Sequence, residues 1–136
     1  MRDSLPSNPG YSLRRAASAM GAELTARLAP LGLRQVDASL LMLIRDNPDV
    51  TASALGRQLD IQRANMVPLL KRLEDAGLIE RAPIDGKSQG LRLTDAGALR
   101  TAEAQEIVDA FEADLIVRVP EEHRPHLLPA LEALWR

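Results

Sequence analysis

Residues 51–94 read TASALGRQLDIQRANMVPLLKRLEDAGLIERAPIDGKSQGLRLT. Leu55 and Leu59 stand four apart, and after Asp60-Ile61-Gln62 the apolar step resumes with Met66, Leu69, Leu70 and Leu73. That spacing predicts two short helices, each with one buried face. Thr51 precedes the first as an N-cap, because its hydroxyl can accept a free backbone N–H. Ala76-Gly77 closes the second, with Gly77 as the cap. Leu78–Ala82 and Leu91–Leu93 then read as strands. Between them PIDGKSQG is a polar turn, in which Asp85-Gly86 favours reversal and sets Lys87 and Ser88 at or near the tip. Helix, turn, helix, hairpin is the pattern of a winged helix-turn-helix, a shape that fits a DNA groove.

The second of these helices turns Arg63, Ala64, Val67, Pro68 and Lys71 outward, with Asn65 and Arg72 flanking. This is the face expected to enter a major groove. Pro68 complicates it, since an interior proline removes a backbone hydrogen bond and costs roughly 3 kcal/mol. A helix starting at Arg63 must bend at Pro68. A helix capped by Asn65 would hold Pro68 in its first turn, where the missing N–H is harmless. The helical register of Arg63 and Ala64 favours the early start.

Outside this stretch the chain reads as scaffold. Residues 1–10, MRDSLPSNPG, are rich in Pro, Gly and Ser and are expected to form a mobile arm. A first helix follows from about Tyr11, with Leu13, Ala17, Met20, Leu24, Leu28 and Leu31 on one stripe and Gly32 ending it. A second, Gln35 to Arg45, carries the run SLLMLI and is expected to be central and buried. After the hairpin, Thr94 caps a long fifth helix running to about Val117. Val119-Pro120 breaks it, and a last helix follows with Leu127, Leu128, Leu131, Leu134 and Trp135. Pro125 and Pro129 are expected to bend or break that helix. The expected organisation is one domain over 11–136. Its winged core is 33–94, flanked by 11–32 and 95–136.

Composition agrees with a helical protein. Among 136 residues the aromatics are only Tyr11, Phe111 and Trp135, so Leu, Ile, Val, Met and Ala must fill the core. No cysteine is present, which removes disulfides, thiol chemistry and Cys-based zinc sites. There is no leader-like run at the start and no window of roughly 18 apolar residues, so a cytoplasmic protein that spans no membrane is expected. The net charge of −2 argues at first against a nucleic-acid partner. Its distribution argues otherwise: residues 1–92 hold 13 Lys/Arg against 10 Asp/Glu, while residues 93–136 hold 4 against 9. An acidic protein can bind DNA when its basic groups gather on one face.

The block LGRQL…I..AN.V..LL.RLE..GLIER, then Asp85-Gly86-Lys87-Ser88, then Leu91, Leu93, Thr94 and Gly97, resembles the MarR family of bacterial transcriptional regulators. The resemblance extends over nearly the whole chain. It implies a mainly α fold with a small β-hairpin wing and dimerisation through the first helix and the last two. It further implies a homodimer on double-stranded DNA, with recognition helices in successive major grooves of a near-palindromic operator and wings at the minor grooves. Such a regulator is most often a repressor, released by a small-molecule effector or other signal. On this resemblance Lys87 stands for the minor-groove arginine and Asp85 for the acid that orients it. Lysine departs from the pattern, being a point charge without arginine's planar fork. Pro68 departs too, and Gln62 replaces the usual Ser/Asp cap. Base readout then leans on Arg63, Asn65 and Lys71. The remaining candidates for DNA contact are Arg72, Arg81 and Ser88. Lys71, Arg72, Arg81 and Arg92 equally suit ion pairs with Glu74, Asp75 or Glu80.

Two competing readings carry other chemistry. A winged helix can bind protein, its basic face being incidental. His123 and His126, with Glu121 and Glu122 beside them, suggest a metal sensor of the ArsR type. Yet no further His or Cys completes a shell, Arg124 opposes a cation, and a solvated pair is the expected state. No phosphate-cradling glycine loop and no nucleophile–base motif is present, so neither an enzyme nor a cofactor is expected.

Overall fold

The computed structural model describes all 136 residues. Six α-helices and one hairpin follow in order. They are α1 (Pro9–Leu28), α2 (Gln35–Asp46), α3 (Ala52–Leu59), α4 (Arg63–Asp75), β1 (Ile79–Pro83), β2 (Gln89–Leu93), α5 (Asp95–Arg118) and α6 (Arg124–Glu132). Short 3-10 turns occupy Leu5–Ser7, Ala29–Leu31 and Glu121–His123.

The core is built from the predicted apolar faces. Leu40, Leu41 and Ile44 of α2 meet Leu55 of α3, Met66, Leu70 and Leu73 of α4, Ile79 of β1 and Leu91 of β2 in one cluster. Thr51 caps α3 by accepting the Ala54 N–H at 3.2 Å. Gly32 and Gly77 both take the left-handed conformation, at φ 69° and 72°. The hairpin pairs Ile79 with Leu93 through to Pro83 with Gln89, antiparallel. Val50 bridges Leu91 on the other side, so β2 is held from both edges.

Thr94 locks the wing to α5. Its hydroxyl accepts the Gly97 N–H at 3.0 Å and donates to the Gly77 carbonyl at 2.6 Å. At Gly97 the first turn of α5 lies against the backbone of Leu78: a Cβ there would stand 1.8 Å from the Leu78 carbonyl oxygen. Only glycine allows that approach.

Two expectations need correction. The first ten residues are not without structure: Leu5–Ser7 form a turn, Ser12 Oγ donates to the Pro6 carbonyl at 3.0 Å, and α1 opens at Pro9. Proline suits a first helical position, where its missing N–H would have no partner anyway. Pro125 does not interrupt the last helix, for it lies in the first turn of α6, and only Pro129 is interior. The α1 stripe is half uncovered, since Leu28 is buried while Leu13 is 41% exposed.

That last point extends to all the terminal helices. No residue of α6 is buried. Leu128, Leu134 and Trp135 near the C-terminus are exposed, as are Ile116 and Val117 at the end of α5. One ion-pair network ties α1 to α5 there. Glu23 of α1 accepts from Arg27 at 3.1 Å and from Arg118 of α5 at 2.7 Å, and Arg27 also reaches Asp114 at 2.6 Å.

Candidate nucleic-acid interface

The wing stands beside the start of α4, and between them, floored by α3, runs an open groove of about 950 Å³. Ser53 and Arg57 of α3, Arg63 and Val67 of α4, and Arg81 and Lys87 of the hairpin line it. Arg81 is engaged by Glu74 of α4. Arg57, Arg63 and Lys87 have no carboxylate within ion-pairing distance, and all three are exposed. Asp60 and Asp85 also border the groove, so four cations there face two carboxylates; the excess is positive, as a polyanion site requires.

Local sequence explains how each group is held. The helix α4 begins at Arg63, as its register predicted, with Gln62 at the N-cap and no side-chain cap. The N–H groups of Arg63 and Ala64 are consequently without a protein acceptor, beside the guanidinium of Arg63. Pro68 lies inside the helix and on its exposed side, where water can serve the carbonyl it leaves unpaired. At the wing tip the Asp85 carboxylate accepts the backbone N–H groups of Lys87 and Ser88, at 2.8 and 2.7 Å. Those two hydrogen bonds lower its pKa. Asp85 thus shapes the turn that presents Lys87. Its contact with Lys87 is through the backbone N–H rather than the ammonium group.

The eight residues named from sequence separate into three groups. Arg63, Arg81, Asp85, Lys87 and Ser88 all border the groove. Asn65 is exposed on another side of α4 and makes no side-chain hydrogen bond within the chain. Lys71 and Arg72 are occupied elsewhere. Lys71 reaches Asp75 at 2.9 Å, a pairing that raises the lysine pKa. Arg72 donates to Asp37 of α2, whose side chain is wholly buried. The Asp37 oxygen that takes Arg72 also accepts the Arg34 N–H at 2.6 Å, so this arginine ties α4 to the start of α2. Arg92 is bound by both carboxylate oxygens of Asp49, at 2.6 and 2.9 Å. That pair lowers the pKa of Asp49 and raises that of Arg92.

Arg57 was not singled out from the sequence. Its signal was present: it falls midway between the inward Leu55 and Leu59, hence on the outer side of α3. In helix-turn-helix geometry the first helix crosses the DNA backbone. The two histidines are exposed surface residues: His123 ends a 3-10 turn, 4.0 Å from Glu122, and His126 lies on α6. No three His, Asp or Glu side chains are grouped to share an ion. No helix is long and apolar enough to cross a membrane.

The fold has counterparts among solved structures. The MarR family model matches residues 33–86, and the solved structure of the transcriptional repressor CouR bound to a 23-mer DNA duplex superposes with a TM-score of 0.87. It shares 31% identity over 97% of this chain and 95% of that one. The chain belongs to the MarR family. Among curated relatives of this MarR chain, an HTH-type transcriptional repressor of Mycobacterium tuberculosis is 28% identical over 127 residues, which is 92% of this chain and 91% of that protein. CouR has also been solved with p-coumaroyl-CoA, with a TM-score of 0.89 and 30% identity over 100% of this chain and 97% of that one. A Mycobacterium tuberculosis MarR family protein solved with salicylic acid gives a TM-score of 0.72 at 28% identity, covering 93% of this chain and 96% of that one.

Proposed function

We propose that this MarR-family chain is a homodimeric, sequence-specific DNA-binding repressor that is released from its operator by a small molecule. One observation carries the DNA reading: the groove between α4 and the wing holds Arg57, Arg63 and Lys87 with no carboxylate partner, while the other cations of α4 and the hairpin, Arg81 in the groove among them, are paired within the chain. In the proposed complex α4 enters the major groove. Arg63 and Asn65 contact base edges there, while Lys87, Ser88 and Arg57 meet phosphate or the minor groove. Asp85 holds the wing turn. Lys71 can reach DNA by leaving Asp75, whereas Arg72 and Arg81 act by positioning α4 and the hairpin.

Dimerisation is supported by the uncovered apolar side chains of α1, α5 and α6, which a second copy would bury. Two half-sites also give the discrimination that one helix reading a few bases lacks. Release requires only that a ligand favour a spacing of the two α4 helices that does not match the operator. An aryl carboxylate and an aryl acyl-CoA thioester are the first compounds to test, on the strength of the ligands named for the relatives. The role is regulatory, with no catalytic step. Mobility shift on sites enriched from a random DNA pool tests the reading. The expected result is one enriched near-palindrome, bound tightly by the chain and with relaxed base preference by Arg63→Ala. Enrichment of no sequence, with a flat salt response, would contradict it and favour a protein partner.

A further inference from the structure

The outer side of α4 is apolar where a DNA-reading helix is expected to be polar. Ala64, Val67, Pro68 and Lys71 stand at steps of three, four and seven residues, which sets them on one side of the helix. All four are exposed, Val67 by 58%. Opposite them Met66, Leu70 and Leu73 are buried in the core, so this ridge is the part of α4 that projects furthest from the protein. Lys71, its one polar member, has its ammonium group tied to Asp75. The middle of the ridge, Ala64–Val67–Pro68, has no side-chain donor or acceptor at all. The polar side chains Arg63 and Asn65 flank it.

A helix with such a ridge cannot recognise its central base pairs by hydrogen bonds. The one apolar group that a base pair displays in the major groove is the C5-methyl of thymine. On the reading of α4 as the recognition helix, we propose that Val67 and Pro68 read thymine methyl groups. Each half-site would then carry at least one thymine at its centre, selected by van der Waals contact and exclusion of water. Arg63 would define the flanking pair. The same ridge disfavours cytosine and adenine there, because their exocyclic amino groups would lose water without gaining an acceptor.

Replacing thymine by uracil tests this directly, because it removes the methyl and leaves pairing unchanged. The enriched operator is synthesised with uracil at one thymine position at a time, in one half-site and then in both. Burial of a single methyl predicts about fourfold weaker binding per half-site at the central position, and about fifteenfold with both substituted. The Val67→Ala protein should lose most of that difference while keeping the salt dependence of the original. Its side chain is exposed, so the fold should be unaffected, and circular dichroism checks this. Uniform binding within twofold for every uracil substitution, on an operator that is still bound selectively, would overturn the proposal and leave the regulator reading intact. So would a thymine–uracil difference that survives in both Val67→Ala and Pro68→Ala. A chain that enriches no sequence would remove the regulator reading and the proposal with it.

Discussion

The winged core and the terminal helices leave opposite things unsatisfied. The inner faces of the winged core are covered: Leu40, Leu41, Leu55, Met66, Leu70 and Leu91 are all within 1% of full burial, and the large apolar side chains it exposes are Val67 on the α4 ridge and Ile84 in the wing. What it leaves open is charge, in Arg57, Arg63 and Lys87 along one groove. The terminal helices expose more apolar surface, and outside Arg14 and Arg15 of α1 their arginines are engaged within the chain. Their charges at Glu23, Arg27, Asp114 and Arg118 form a closed network, while Leu13, Val117, Leu128, Leu134 and Trp135 stay in water. Unpaired cations in a groove suit a polyanion, and uncovered leucines suit a like surface. What each region lacks therefore indicates what it binds.

Four perturbations would break or sharpen this contrast, the largest first. Gly97→Ala strikes the seam between the two regions, where a Cβ would stand 1.8 Å from the Leu78 carbonyl oxygen. Backbone must move, and a loss of about 3 kcal/mol in denaturant-derived stability is expected. An unchanged unfolding midpoint would mean that α5 does not lie so close to Leu78. Next, Leu128→Glu with Leu134→Glu places charge on the uncovered face. Sedimentation should show a monomer at concentrations where the original chain is dimeric, with a dimer dissociation constant raised about a hundredfold or more. Helical content should hold, because both side chains are already exposed.

The third separates arginines that look alike in sequence. Arg72→Ala leaves the buried Asp37 carboxylate short of a partner, and should cost about 2 kcal/mol of stability. It should weaken DNA binding only in proportion to the folded fraction. A change of base preference with unchanged stability would return Arg72 to the reading surface. The smallest effect concerns pH. The pKa of Glu23 is lowered from 4.5 to about 2 by its hydrogen bonds from Arg118 and Arg27. A carboxylate held low in the folded state contributes stability that is complete above 4.5 and fades as pH falls toward 2. Melting temperature should therefore decline across that interval by an amount that Glu23→Gln reduces. Because the group is surface-accessible the difference should be modest, and smaller in high salt.

Local features were legible in the sequence and distant pairings were not. The caps Thr51 and Thr94, the turn at Asp85 and the buried step Met66–Leu70–Leu73 each depend on residues within four positions, where periodicity and side-chain chemistry suffice. One of the expected ion pairs was local in the same way, Lys71 with Asp75, while Arg81 and Glu74 are seven apart and meet across the turn from α4 to β1. Arg72 and Arg92 instead found Asp37 and Asp49, 35 and 43 residues away. No spacing rule announces these, since they exist only after α2 has packed on α4 and β2 on the segment before α3. Arg57 carries an equally local signal, since it stands midway between the inward Leu55 and Leu59 on the first helix of the motif. The start of α4 followed from the register of Arg63 and Ala64, at the expense of an interior proline. That same proline belongs to the apolar ridge now assigned to thymine.

Central to this account is the claim that the groove between α4 and the wing is where DNA binds. The most direct measurement is operator affinity against salt concentration for the original chain and for Lys87→Ala. Each phosphate neutralised contributes about 0.9 to the slope of log affinity against log salt. The account predicts that Lys87→Ala lowers affinity for all sequences alike and flattens that slope by nearly 2 in a dimer, one contact per wing. Identical slopes for the two proteins, with operator binding intact, would put DNA somewhere other than this groove.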